Sequence, residues 1–152
     1  MNRPRWKVRL RALVNRVVLN RMACRLIDAF KKTQPLGTLG ELEAERYLLK
    51  AGMIVVGKGY SDLAGEIDLV AVDGRTIVFV EVKTRASDAA GSPEEAVDQE
   101  KQKRISRTAM SYLNHHELQE CQVRFDVIAI TWPTKSHTPQ LVHYRSAFEY
   151  QR

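Results

Sequence analysis

Two apolar runs divided by Asp73-Gly74 stand out in the stretch GEIDLVAVDGRTIVFVEVKTR, Gly65 to Arg85. Val, Ile and Phe fill both runs, as in strands covered on both faces, and Asp-Gly is a preferred two-residue hairpin turn. Upstream, Met53 to Val56 predicts a first strand, with Gly57 to Gly65 as the connection that follows it. Downstream, VRFDVIAIT (Val123 to Thr131) predicts a further buried strand and Gln140 to Tyr144 a last one. Helical spacing governs other parts of the chain. After Gln34-Pro35 the small and apolar positions Gly37, Gly40, Ala44, Tyr47, Leu48 and Ala51 recur on one stripe, predicting a helix from Thr38 to Ala51 that ends at Gly52. Ser92-Pro93-Glu94-Glu95 is a helix start, with Ser92 as N-cap, Pro93 at the first helical position and Glu95 at the capping-box position. That helix is expected to reach His115 and to bury Val97, Ile105, Ala109, Tyr112 and Leu113. Helix, strands, helix, strands in that order predict an α/β layered domain with a mixed sheet.

Near the start, Trp6, Leu10, Leu13, Val14, Val17, Val18 and Leu26 fall at roughly helical spacing with arginines between them, the pattern of a basic amphipathic helix. Charge sets this segment apart from the rest. Residues 1–32 hold ten Lys or Arg against Asp28, a balance of +9, whereas the other 120 residues carry 14 basic and 17 acidic side chains. The chain therefore divides into a basic arm, 1–34, and a mildly acidic body, 35–152. Three readings of the arm are open: nucleic-acid contact, a helix on a membrane surface, or a leader translated from an upstream start codon, with Met22 as a later start. Arg16 and Arg21 interrupt what would have to be the apolar region of a secretory signal.

With 152 residues the chain fits one domain, and a domain of that size buries roughly 70% of its unfolded surface without crosslinks. Cys24 and Cys121 lie far apart and match no metal-ligand spacing, which argues for a reducing, cytoplasmic setting and against a zinc site or a disulfide framework. No apolar run approaches the ~20 residues of a spanning helix, so integral membrane association is not expected.

The strand pair carries charges where burial is expected: Asp68, Glu81 and Lys83. An ionised carboxylate in a sheet interior is costly unless a cation compensates it. With Asp73-Gly74 as the turn, Val72 lies opposite Arg75, Glu66 opposite Glu81 and Asp68 opposite Phe79. Asp68 and Glu81 then share a face as diagonal neighbours, with Lys83 two residues farther along it. A three-residue turn would put the two acids on opposite faces. Glu41 falls on the inward stripe of the preceding helix, while Glu43 and Glu45 lie off its centre. Two converging carboxylates without nearby His or Cys form a hard oxygen site suited to Mg²⁺ or Mn²⁺, with Lys83 beside an attacking water or a phosphate. Read without a ligand, the same residues make a salt bridge between Lys83 and either acid, and Glu41 is a first-turn acid favoured by the helix dipole. Glu66, a like charge opposite Glu81, is an accessory ligand candidate.

These residues also carry a resemblance. GTLGELEAERYLLKAG, then GEIDLVAVDGRTIVFVEVKTR, GSPEEAVDQEKQKRI and RFDVIAI strongly resemble the YraN family of endonuclease-like proteins, from Leu36 to Tyr150. The resemblance implies a branch of the PD-(D/E)XK nuclease superfamily, close to Holliday junction resolvases, with a restriction-endonuclease-like core of mixed sheet flanked by helices. It implies Glu41 as the helix-borne acid, Asp68 as the acid of the second core strand, and Glu81-Val82-Lys83 as the Glu-x-Lys of the third. Gly59 departs from the pattern, standing where the family has a polar residue before the aromatic, here Tyr60. The arm has no counterpart in it.

Arg85, Lys101, Lys103, Arg104 and Arg107 are the candidate nucleic-acid contacts, since basic side chains bind phosphates regardless of sequence; read without a ligand, they form a solvated helix face. The expectation is a metal-dependent nuclease acting on branched or other non-duplex DNA. Its alternative is a non-catalytic nucleic-acid-binding or assembly protein that keeps the fold. A homodimer would suit a four-way junction with two symmetric cut sites, by analogy at fold level.

Overall fold

The computed structural model describes residues 4–21, 35–86, 97–133 and 138–151. Its centre is a five-stranded sheet of β1 (Ile54–Asp62), β2 (Gly65–Asp73), β3 (Thr76–Arg85), β4 (Gln122–Thr131) and β5 (Gln140–Phe148), side by side in that order. β3 and β4 are parallel and the other neighbouring pairs antiparallel. Among the described residues three helices accompany them: α1 (Arg5–Arg21), α2 (Leu36–Lys50) and α3 (Gln99–His115). This is the mixed α/β sheet flanked by helices that the pattern predicts.

Both faces of the sheet are covered, which explains why its central strands are apolar at nearly every position. Ala44 and Leu48 of α2 pack on Val55, Leu69, Ala71, Val78, Val80, Ile128 and Ile130. On the other face Ile105, Ala109, Tyr112 and Leu113 of α3 meet Ile67, Val70, Ile77, Phe79, Phe125 and Val127. Phe79 stacks on Phe125 and meets Tyr112 edge-on, each at 5.7 Å between ring centres. Burial of a side chain of this size stabilises the fold by ~1.5–3 kcal/mol, so the strands form a stiff platform. Leu10 of α1 is buried in this second core, with Trp6, Leu13 and Val14 packed against it. Arg9 pairs with Glu117 and the Arg75 guanidinium lies over the Trp6 ring. Residues 22–34 of the arm, including Met22 and Cys24, lie outside the described residues.

Several boundaries differ from those the pattern predicts. β1 continues through Gly57 to Asp62, where a connection is expected, because the Asp62 carboxylate accepts hydrogen bonds from the N–H groups of Ala64 and Gly65 and closes a tight hairpin there. Gly59, the departure noted above, adopts φ 56°, a conformation that a residue with a Cβ takes only under strain. α3 begins at Gln99, not at Ser92: Asp98 is extended, and its carboxylate accepts the Lys101 N–H at 2.8 Å, so Asp98 is the N-cap. Ser92 to Glu95 lie outside the described residues. β5 runs on to Phe148 through a bulge.

The hairpin register also differs. Asp73 pairs with Thr76, so the two turn residues are Gly74 and Arg75, not Asp73 and Gly74. Gly74 supplies the positive φ, 62°, that the first central position of a primed turn requires. Asp73 is held on its strand by Arg124 at 3.0 Å and by Arg145. The pairing is displaced by two residues, an even number, so every side chain keeps its predicted face.

Candidate functional site

β2 and β3 pair from Leu69–Val80 to Asp73–Thr76 and no farther. Beyond Leu69, β2 continues against β1 alone, with Tyr60 opposite Ile67 and Ser61 opposite Glu66. Beyond Val80, β3 continues against β4 alone, from Glu81 opposite Val127 to Arg85 opposite Thr131. The two strands thus part as a fork, and the charged residues of the sequence motif stand at its opening.

Asp68 holds the crotch. The Val82 N–H, freed from the ladder, donates to Asp68 Oδ2 at 2.6 Å. In the observed register Asp68 would follow Leu69 to a place opposite Glu81, where the predicted register makes the two diagonal. Glu81 is 5% exposed. Its Oε1 accepts two ammonium groups, Lys83 Nζ at 2.9 Å and Lys101 Nζ at 3.1 Å. Its Oε2 is buried and has no hydrogen-bond partner among the described residues. Burial, then the Glu81 charge, push the Asp68 carboxyl up to about 6, against opposing effects of the Val82 hydrogen bond and Lys101. Glu41 adds a smaller push in the same direction.

Glu41 reaches this neighbourhood because α2 lies very close to β3. A Cβ on Gly40 would stand 1.9 Å from Thr84 Oγ1, so only glycine permits the approach. Glu41 is half-buried and its own pKa is raised, by burial first and by Glu66 second. Glu43 and Glu45, expected off the stripe, are engaged elsewhere, with Arg46 and Lys58, both at 2.8 Å. Glu66 does not face Glu81; it pairs with Ser61 on β1 and is exposed, because the true register moves it two residues along, and its field falls on Glu41.

The basic candidates divide. Lys101, expected to face phosphates with its neighbours, turns into the fork instead. Lys103 pairs with Glu100 at 3.5 Å, and Arg104 and Arg107 are exposed. Arg85 ends β3, where its carbonyl accepts the Trp132 N–H. A cleft of about 570 Å³, lined by Trp6, Leu10, Val14, Ile54 and Val72 among others, lies under α1 at the turn end of the hairpin and includes none of the fork residues.

Among the described residues, no three His, Cys, Asp or Glu side chains are grouped closely enough to hold a metal by themselves. Mg²⁺ asks for less, since it is commonly held by one or two carboxylates and completes its shell with waters and substrate phosphate oxygens. Asp68 and Glu81 fit that demand. Their donor set is all oxygen, one buried oxygen has no partner among the described residues, and the Asp68 carboxyl is held up by burial and a like charge that a cation would offset.

A second buried acid, Asp126, escaped functional reading in the sequence. It is fully buried on β4 and accepts from Arg124 Nε at 2.9 Å and from the Ser146 N–H at 2.9 Å, and it contacts His143 Nε2 at 2.9 Å. Burial alone would raise its pKa; hydrogen bonds from His143, Arg124 and Ser146 outweigh it and hold the carboxyl below its usual value. Ser146 has φ 52°, so Asp126 anchors the β5 bulge. The Arg124-x-Asp126 alternation was visible in the sequence, but nothing there tied it to His143.

The model of the family described as Uncharacterised protein family UPF0102 matches residues 40–130. Glu41, Asp68, Glu81, Lys83 and Lys101 fall inside that span and α1 outside it. The chain is 46% identical over 116 residues to a UPF0102 protein of Rhodopirellula baltica, covering 74% of this chain and 70% of that protein. It is 42% identical over 120 residues to a UPF0102 protein of Trichlorobacter lovleyi, covering 78% and 94%. Against a UPF0102 protein of Syntrophus aciditrophicus it is 43% identical over 122 residues, covering 79% and 94%.

Proposed function

The chain belongs to the UPF0102 family, the YraN-type proteins its motifs resemble, and from that footing we propose that it is a metal-dependent nuclease hydrolysing phosphodiester bonds in DNA. The observation that carries the reading is the fork: a buried Glu81 with an oxygen unpartnered among the described residues, beside Asp68 and contacted by two lysines. The resemblance to the PD-(D/E)XK superfamily supports it.

Asp68 and Glu81 would hold Mg²⁺ or Mn²⁺, with Glu41 as the outer acid of the set. When bound, such an ion activates water and stabilises charge on the phosphoryl oxygens. Hydrolysis joins a water oxygen to phosphorus and breaks one phosphorus–oxygen bond; the water gives up a proton and the departing sugar oxygen takes one. Lys83, already on Glu81 at the fork, would supply an ammonium to the negative charge that develops on the phosphate. Arg85, Lys103, Arg104 and Arg107 would hold the strand by its phosphates, a contribution that weakens as salt rises. Branched or other non-duplex DNA is the proposed substrate, a homodimer the proposed assembly and the cytoplasm the proposed setting. Among the described residues no helix is long and apolar enough to cross a membrane.

The test is cleavage of duplex, single-stranded, flap and four-way DNA with Mg²⁺ or Mn²⁺. Asp68→Asn and Lys83→Ala are expected to abolish cutting and retain binding. A protein that binds branched DNA yet never cuts it with any divalent ion is instead a non-catalytic binding or assembly protein. Co-sedimentation with liposomes that requires residues 1–32 would support a membrane-surface role for the arm.

A further inference from the structure

Lys101 is the residue that the fork contains and the sequence motif does not require. It sits in the first turn of α3, its backbone fixed by the Asp98 cap, and its side chain crosses from the helix to β3. It ends on Glu81 Oε1, the oxygen that Lys83 already occupies, while Oε2 has no partner among the described residues. Two ammonium groups on one oxygen repel each other. What the pair achieves is a local charge of +2 next to two carboxylates, the charge of one divalent ion.

We propose that Lys101 is the resident counter-ion of this site, a tethered cation that neutralises Glu81 in the metal-free protein and withdraws when a divalent ion binds. The proposal rests on the reading of the fork as a metal site. If both lysines stayed, entry of the ion would bring the local positive charge to +4 against two carboxylates. One of them must yield, and the two are not equivalent. Lys83 is fixed on the same strand as Glu81, two residues away. Both side chains are partly exposed, 29% for Lys83 and 27% for Lys101, but Lys101 alone of the two reaches in from a separate helix, so it can swing outward without disturbing the strand that carries Glu81. It thereby competes with the metal and sets the concentration at which the site fills.

The experiment is a calorimetric titration of Mn²⁺ into the full-length wild type, Lys101→Met, Lys101→Gln and Lys101→Arg, with a thermal melt of each to establish folding. Removing the competing charge is expected to tighten Mn²⁺ binding on the order of tenfold in the Met and Gln variants, while Lys101→Arg, which keeps the charge, stays close to the wild type. In a Glu81→Gln background the effect of Lys101→Met is expected to vanish. Affinity in Lys101→Met equal to or weaker than that of the wild type overturns the proposal, as does failure of both proteins to bind Mn²⁺. The outcomes separate from those of the nuclease reading. A wild type that binds Mn²⁺ without cutting DNA, beside a tighter-binding Lys101→Met, removes the nuclease and keeps the counter-ion. Cutting by the wild type with no gain in Lys101→Met does the reverse.

Discussion

Two acidic centres lie in adjoining parts of one sheet, and they are built to opposite rules. At Asp126 both carboxylate oxygens are engaged, by Arg124, His143 and the Ser146 N–H, and the pKa is held down. At the fork, Asp68 and Glu81 face each other's charge, one Glu81 oxygen has no partner among the described residues, and the Asp68 carboxyl is pushed up to about 6. Asp126 is fully buried and Glu81 nearly so. The difference is that every oxygen of the first centre is engaged, whereas at the second, two ammonium groups crowd one Glu81 oxygen and the other has no partner among the described residues. A buried carboxylate by itself therefore says little; whether its oxygens are satisfied separates a structural acid from a candidate ligand.

That contrast can be broken in order of expected size. Asp126→Ala leaves Arg124 and His143 facing an empty place and orphans the Ser146 N–H, and removal of one partner of a buried charged pair costs ~3–5 kcal/mol. Urea denaturation is expected to show a loss of that order, with the β5 bulge less protected in hydrogen exchange. Gly40→Ala comes next. The new Cβ would meet Thr84 Oγ1 at 1.9 Å, and overpacking of this kind costs ~1–3 kcal/mol; α2 must lift, carrying Glu41 away from the fork.

Asp68→Asn is expected to act in the other direction. It removes a buried charge whose ionisation is unfavourable, yet keeps an oxygen to accept the Val82 N–H, so the metal-free protein at pH 8 gains ~1–2 kcal/mol. The same change should abolish the rise in melting temperature that Mn²⁺ gives the wild type, because ligand stabilisation requires the ligand site. The sign with pH follows from the raised pKa. The folded protein binds the Asp68 proton more tightly than the unfolded chain, so the contribution is most favourable below pH 4 and is lost as pH rises through about 6. Asp126, with a lowered pKa, contributes stability above the unfolded value that is lost on further acidification. Melts of metal-free wild type and Asp68→Asn should therefore converge near pH 4 and separate by pH 7.

Much of the fold was legible because its elements advertise themselves locally. The stripe of Gly40, Ala44 and Leu48 marks α2, and the Val- and Ile-rich runs mark β2, β3 and β4. The site was half legible. An even register displacement preserves faces, so Asp68, Glu81 and Lys83 kept theirs even though the turn residues are Gly74 and Arg75. What the sequence did not display depends on contacts between distant elements. The fork exists because β3 parts from β2 after Val80 while staying paired with β4 to its end, a property of the strand pairing. Lys101 enters it because α3 crosses back over that end of the sheet, and helical periodicity assigned it to a phosphate-facing surface with Lys103. Asp126 is completed by His143 and Ser146, both on β5, and no local pattern joins them.

Cleavage of an end-labelled four-way DNA junction by wild type and Glu81→Gln, in Mn²⁺ and again with EDTA, tests the central claim most directly. The wild type should cut in Mn²⁺ alone, and Glu81→Gln should bind the junction without cutting it. Equal cutting by both proteins, or none by the wild type with any divalent ion, would contradict the assignment of the fork as a nuclease centre.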